Sequence, residues 1–260
     1  MKIELAPIDY YFYRPKLYTI QVAFEYKNKV STQQLVDAIK KLTIKMPIIG
    51  SRLVKFSSFQ IVLEVGHEIP VREQHLNKSI DFESEILFDS VSNVEGEPLI
   101  KFLVTHMKDR SYVGVSFSHI LGDGAAFFMF MENFVRIISA KHLSPVLTDR
   151  SKLIAFTKGD STVSLFESTG YIQPRPENPT HDIVEHIHYS NGHLNELKEK
   201  LRAKGCEAST NNIIMADLAK RFYKDIPNFK NQFIIRCPVD YRKAIGLGTN
   251  YFGNAVRDAV

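Results

Sequence analysis

The sequence predicts an α/β fold, and three observations predict it. Alternating apolar runs mark strands, the clearest at 18–26, 99–107 and 111–118. Apolar residues at helical spacing follow, at 32–45 and again after Gly124. Capping and turn residues punctuate the two patterns, with Ser31-Thr32 ahead of the first long helix and Pro47 after it.

Taken in order, 18–26 sets Ile20, Val22 and Phe24 against Thr19, Gln21 and Glu25, a strand with one buried face. The helix from Ser31-Thr32 to about Lys45 carries Leu35, Ala38, Ile39 and Leu42 on one side. Residues 48–53 lead into a strand that 60–65 can pair with, and 67–97 has no regular pattern. The stretches 99–107 and 111–118 form the best strand pair, turned by Lys108-Asp109-Arg110. A helix then runs from Gly124 to about Ala140. Prolines 145, 174, 176 and 179, with Ser, Thr and Gly between them, mark 146–181 as a linker between lobes. Beyond it the pattern gives a strand at 183–189, helices at 190–204 and from Ala208-Ser209-Thr210, and a buried strand at 233–235. Three regions result: 1–145, the linker 146–181, and 182–260.

Composition narrows the class. With 260 residues, 44% hydrophobic and 24% charged, the chain can bury a sizeable core. The 33 basic and 29 acidic residues leave a net charge of +4 spread along the chain. Without a dense basic stripe, nucleic acid is not an expected partner. No apolar run reaches membrane-spanning length, and the N-terminus shows no signal-peptide core. Two cysteines, Cys206 and Cys237, give no disulfide framework and fit a reducing cytoplasm.

The chemistry-bearing stretch is Ser118-His119-Ile120-Leu121-Gly122-Asp123-Gly124, between the strand 111–118 and its following helix. A histidine at the end of a strand points into the cleft at the sheet edge, and Gly122 and Gly124 remove side chains that would block a substrate. Asp123 can polarise His119 as in a Ser-His-Asp triad. It can equally cap the helix, with His119 a satisfied core residue. His186 and His188, with His181, Asp182 and His193 nearby, look metal-like, but no third ligand closes the set and no metal is expected. Phosphate-binding, dinucleotide-binding, His-Glu-x-x-His and Gly-x-Ser-x-Gly patterns are all lacking from the sequence.

The order of these pieces resembles the superfamily of chloramphenicol acetyltransferase, peptide-synthetase condensation domains and the BAHD acyltransferases. His119-Ile120-Leu121-Gly122-Asp123-Gly124 matches its His-x-x-x-Asp-Gly. Pro47-Ile48-Ile49-Gly50-Ser51-Arg52-Leu53 is similar to its early Pro-x-x-Gly-x-Arg-Leu segment. Val239-Asp240-Tyr241-Arg242 followed by Asn250-Tyr251-Phe252-Gly253-Asn254 resembles the BAHD branch. The resemblance implies a two-layer sandwich with a mixed sheet, the first lobe complete and the second partial. It implies acyl transfer from acyl-CoA, a cosubstrate and not a tightly bound cofactor, to an alcohol or amine. His119 is then the general base, mostly neutral given an ordinary pKa near ~6.5. Asp123 then turns from substrate to pair with Arg242, Gly124 keeps the backbone open, and Gly253 and Asn254 lie near the lobe interface. The family's Asp-Phe-Gly-Trp-Gly loop has no counterpart in a chain without Trp. A further C-terminal segment or a partner chain would complete the second lobe. The rival readings are a non-catalytic binding module and a carrier-protein-dependent condensation domain; Ser118, where the latter carries a second histidine, argues against it.

Overall fold

The structure, a computed structural model, describes residues 1–13, 19–58, 60–77, 87–153, 187–225 and 237–259. Its centre is a four-stranded mixed sheet in the order β2-β7-β6-β5. The strands are β2 (Thr19–Tyr26), β5 (Val71–His75), β6 (Ile100–His106) and β7 (Ser111–Ser118). β7 runs antiparallel to both neighbours, Phe117 facing Ile20 on one side and Ile100 on the other, while β5 runs parallel to β6. A smaller antiparallel sheet is formed by β1 (Lys2–Glu4), β4 (Ile61–Glu64) and β3 (Arg52–Lys55), with α1 (Pro7–Tyr11) following β1.

Two helices pack with these strands. In α2 (Thr32–Lys45) the Ser31 hydroxyl accepts from Gln34 N, and Leu35, Ala38, Ile39 and Leu42 are buried. Its C-terminus gives way to a 3-10 turn, Pro47–Gly50, because proline cannot continue the hydrogen-bond ladder. In α3 (Gly124–Ile138) Ala126, Phe127, Phe130 and Phe134 turn inward. Phe117 meets Phe127, Phe130 and Phe252 at ring-centroid distances of 5.7, 6.2 and 6.2 Å. β7 is buried along its whole length, not on alternate residues. Its second face lies under 87–93: a Cβ on Gly114 would run into the Leu87 carbonyl, and Ser118 Oγ meets Asn93 Oδ1 at 2.5 Å.

The irregular reading of 67–97 missed β5. Its sequence, Val-Arg-Glu-Gln-His, carries a single strongly apolar residue, as suits an outer strand whose pairing supplies the order. The chain divides into two compact units, Met1–Thr162 with Pro238–Arg257, and Val163–Cys237 with Asp258–Val260. That partition differs from the boundary expected at 181/182, since 238–257 joins the first unit. The first residues of the expected linker are also docked: Leu147 N donates to Asn250 O, and Phe252 N donates to Leu147 O. The remainder of that linker lies outside the described residues. In the second unit, α4 (Asn191–Arg202) is capped by Ser190, and α5 (Thr210–Asp225) begins where the sequence placed it. Of the strand expected at 183–189, residues 187–189 are not extended ladder, and the rest, like 233–235, lies outside the described residues. Two short strands, β8 (Cys237–Asp240) and β9 (Val256–Ala259), pair near the end of the chain.

Phe117, at 0% exposure ahead of His119, is the packing centre of this arrangement. Phe117→Ala should cost about 3–5 kcal/mol in urea unfolding. Val135→Ser on the exposed side of α3 should stay within about 0.5 kcal/mol of wild type.

Candidate active site

β7 ends at Ser118, and the chain turns through His119, Ile120 and Leu121 before α3 starts. Two short bonds make the turn: Leu121 N donates to Ser118 O at 3.1 Å, and Ile120 N donates to Ser118 Oγ at 3.1 Å. Ile120 and Leu121 are fully buried, so the turn is anchored and His119 is left half-buried at its outer edge. The imidazole stacks on Phe12, with centroids 4.5 Å apart and planes at 13°. Nδ1, not Nε2, is its buried nitrogen without a hydrogen-bond partner among the described residues. Burial pushes the imidazole below its usual pKa, opposed by the nearby Asn254 side chain and the Asp123 carboxylate.

Asp123 is the N-cap of α3, its Oδ1 accepting from Ala126 N at 3.1 Å. Its remaining capacity is also filled. Arg242 Nη2 donates to Oδ1 at 2.8 Å, Arg242 Nη1 to Oδ2 at 2.9 Å, and Ala255 N to Oδ2 at 2.9 Å. The triad alternative is therefore corrected: the carboxylate has no bond to the His119 ring, because backbone amides and a guanidinium occupy it. Arg242 is satisfied in turn, donating from Nε to Tyr251 O at 3.1 Å and from Nη2 to Gly253 O at 2.8 Å, with Asp240 3.1 Å from Nη1. Both members are almost completely buried. The pair ties the turn after β7 to residues 240–255.

A second buried ion pair lies beside the first. Asp9, three residues into the start of α1, accepts from Ala6 N and Arg150 Nε, each at 2.8 Å on Oδ2. Arg150 Nη2 donates to Leu121 O at 2.9 Å, so this pair holds the same turn. Asn254 links the sets: its Nδ2 donates to Asp9 Oδ1 at 2.8 Å and to the His119 carbonyl at 2.7 Å. Asp9 and Arg150 were not among the candidate residues that the sequence offered. The one local signal was Pro7 followed by Asp9, the pattern of a helix N-terminus whose third residue reaches back to the cap.

The two glycines stand in different surroundings. A Cβ on Gly124, expected to crowd the opening, would meet nothing within 4 Å. On Gly122 it would collide with Ala126 Cβ and lie 3.3 Å from the Gly253 backbone. Gly122 is thus the close-approach glycine, and Gly253 is the backbone it approaches. Among the described residues no group of three His, Cys, Asp or Glu side chains is arranged to hold a metal; His181, Asp182 and His186 lie outside them. Cavities of about 330 and 470 Å³ open at the start of α2 and between Lys45 and Lys141, and neither is lined by His119. No helix among the described residues is long and apolar enough to cross a membrane.

Residues 67–260 match the model of the family described as Transferase family. No curated protein matches the sequence. Among solved structures, TRI101 of F. graminearum complexed with ethyl coenzyme A aligns with a TM-score of 0.69 at 13% identity, over 100% of this chain and 69% of that one. The same protein complexed with coenzyme A and T-2 mycotoxin gives 0.69 at 14%, with the same coverage. TRI101 of F. sporotrichioides with coenzyme A and T-2 gives 0.62 at 14%, over 100% of this chain and 66% of that one. The mixed α/β, chloramphenicol acetyltransferase-like architecture is thus the fold of this chain.

The glycine geometry makes a direct prediction. Gly122→Ala should destabilise the protein by about 1–3 kcal/mol through overpacking against Ala126 and Gly253. Gly124→Ala should be neutral or stabilising by up to about 1 kcal/mol, since alanine loses less freedom at a helix start. Thermal or urea unfolding of the two variants reads the difference.

Proposed function

The chain belongs to the Transferase family, the BAHD branch of acyltransferases, and from that premise we propose that it moves an acyl group from acyl-CoA to a hydroxyl or amine, with His119 as general base. The observation that carries this reading is the half-buried imidazole at the end of β7, lowered in pKa by burial and enclosed at Nδ1 alone. A base must be neutral to work, and burial favours the neutral form.

The steps balance without another reagent. The acceptor O–H or N–H gives its proton to Nε2 as its lone pair attacks the thioester carbonyl. A new C–O or C–N bond forms, the tetrahedral adduct collapses, and the C–S bond breaks. The imidazolium returns its proton to the departing thiolate, giving free CoA. In this reading Asp123 and Arg242 touch no reacting atom; they hold the turn that carries His119. Coenzyme A as donor is supported by the TRI101 complexes, whose chains share the fold and extend beyond the part matched here. The condensation-domain alternative is disfavoured by Ser118, whose buried hydroxyl is committed to Asn93 and Ile120, not to a second base.

The protein incubated with acyl-CoA and candidate alcohols or amines should release CoA, read with a thiol reagent. His119→Ala should lower that rate about a hundred- to ten-thousandfold. Release that survives the substitution unchanged removes the assigned role.

A further inference from the structure

We propose that Phe12 is a positioning residue: the face of its ring stabilises the positive charge that His119 carries between taking the acceptor's proton and giving it to the thiolate. The inference rests on the reading of His119 as base, and it concerns what balances that charge. The proton leaves the acceptor O–H or N–H, stays on the imidazole while the C–S bond breaks, and departs as the thiol of CoA forms. For that interval the ring is an imidazolium in a half-buried place. An uncompensated charge there is costly.

The carboxylates of the network do not supply the balance by contact. Asp123 is spent on Arg242, Ala126 N and Ala255 N, and acts on the ring only through space. Asp9 is spent on Ala6 N, Arg150 and Asn254. What lies against the ring is Phe12, with centroids 4.5 Å apart and planes at 13°. The face of a benzene ring is the negative part of its quadrupole. A cation within about 6 Å of the centroid is drawn to it. A neutral imidazole gains only packing from the same face. Contacts stronger in the charged state than in the resting one lower the barrier; contacts equal in both do not. Phe12 is also fixed in place. It is buried at 7% exposure, its N–H donates to Asp9 O at 3.1 Å, and Asp9 is held by Arg150 within the same compact unit.

Phe12 has two effects of opposite sign, and substitution separates them. Excluding water disfavours the imidazolium, while the π face favours it. Phe12→Leu keeps an apolar cover and removes the face; Phe12→Tyr keeps both. Proton NMR of the His119 ring, on the chain without substrate, follows its titration. The midpoint in Phe12→Leu should move to lower pH than in wild type, and in Phe12→Tyr it should stay. The kcat for CoA release should fall about tenfold in Phe12→Leu, with KM little changed, and recover in Phe12→Tyr. A midpoint that stays or rises in Phe12→Leu, or a kcat that does not fall, overturns the proposal. Should Phe12→Leu fail to fold, pentafluorophenylalanine in place of Phe12 keeps the ring's shape and reverses the polarity of its face. A lowered midpoint then supports the proposal, and an unchanged one contradicts it. The titration needs no turnover. A lowered midpoint in a chain that transfers no acyl group removes the proposed reaction while sustaining the effect of Phe12 on the charged ring; acyl transfer with an unmoved midpoint does the reverse.

Discussion

The bidentate bond between Asp123 and Arg242 is the constraint on which the candidate site depends. All four acceptor positions of the carboxylate are used, and the guanidinium donates four hydrogen bonds while its Nη1 also lies 3.1 Å from Asp240 Oδ1. Such saturation is what makes a buried pair tolerable, because desolvation of each charge costs several kcal/mol that one contact would not return. The pair does more than neutralise charge. It fixes the end of β7, the start of α3 and the backbone of 251–255 in one frame, although its members lie 119 positions apart in the chain. Networks of this kind specify one arrangement, since a half-made version is worse than none.

Within that frame the imidazole of His119 meets a distinctive environment. Phe12 covers one face, Asn254 holds the backbone carbonyl behind it, and Asp123 sits close enough to act through space without bonding to the ring. Burial outweighs the carboxylate, so the neutral form is favoured. The second pair, Asp9 with Arg150, braces the same turn from the N-terminal side through Leu121. Two buried cations with their carboxylates thus brace the turn that carries the histidine.

Much of this was legible in the sequence, and the reasons are physical. β6 and β7 announced themselves because dense runs of β-branched and aromatic residues fill them, and α2 did because Ser31 caps a regular apolar face. His119, Asp123 and Arg242 were found through short motifs, and the last two meet as the resemblance implied. β5 was not legible, since its residues are mostly polar and a parallel edge is set by pairing with β6. Asp9 and Arg150 left no periodic trace: each is a single charge, and the bond joining them spans 141 positions. The packing at the glycines was not legible, because spacing says that a small residue is present but not what stands against it; Ala126 and Gly253 crowd Gly122, whereas Gly124 faces open space.

A double-mutant cycle on Asp123 and Arg242 tests the central claim most directly. Unfolding free energies of Asp123→Asn, Arg242→Gln and the double variant would be compared with wild type. Each single change should cost about 3–5 kcal/mol, because it strands a buried partner, and the double change should cost far less than their sum. Losses that simply add would show that the two side chains do not hold the His119 turn together.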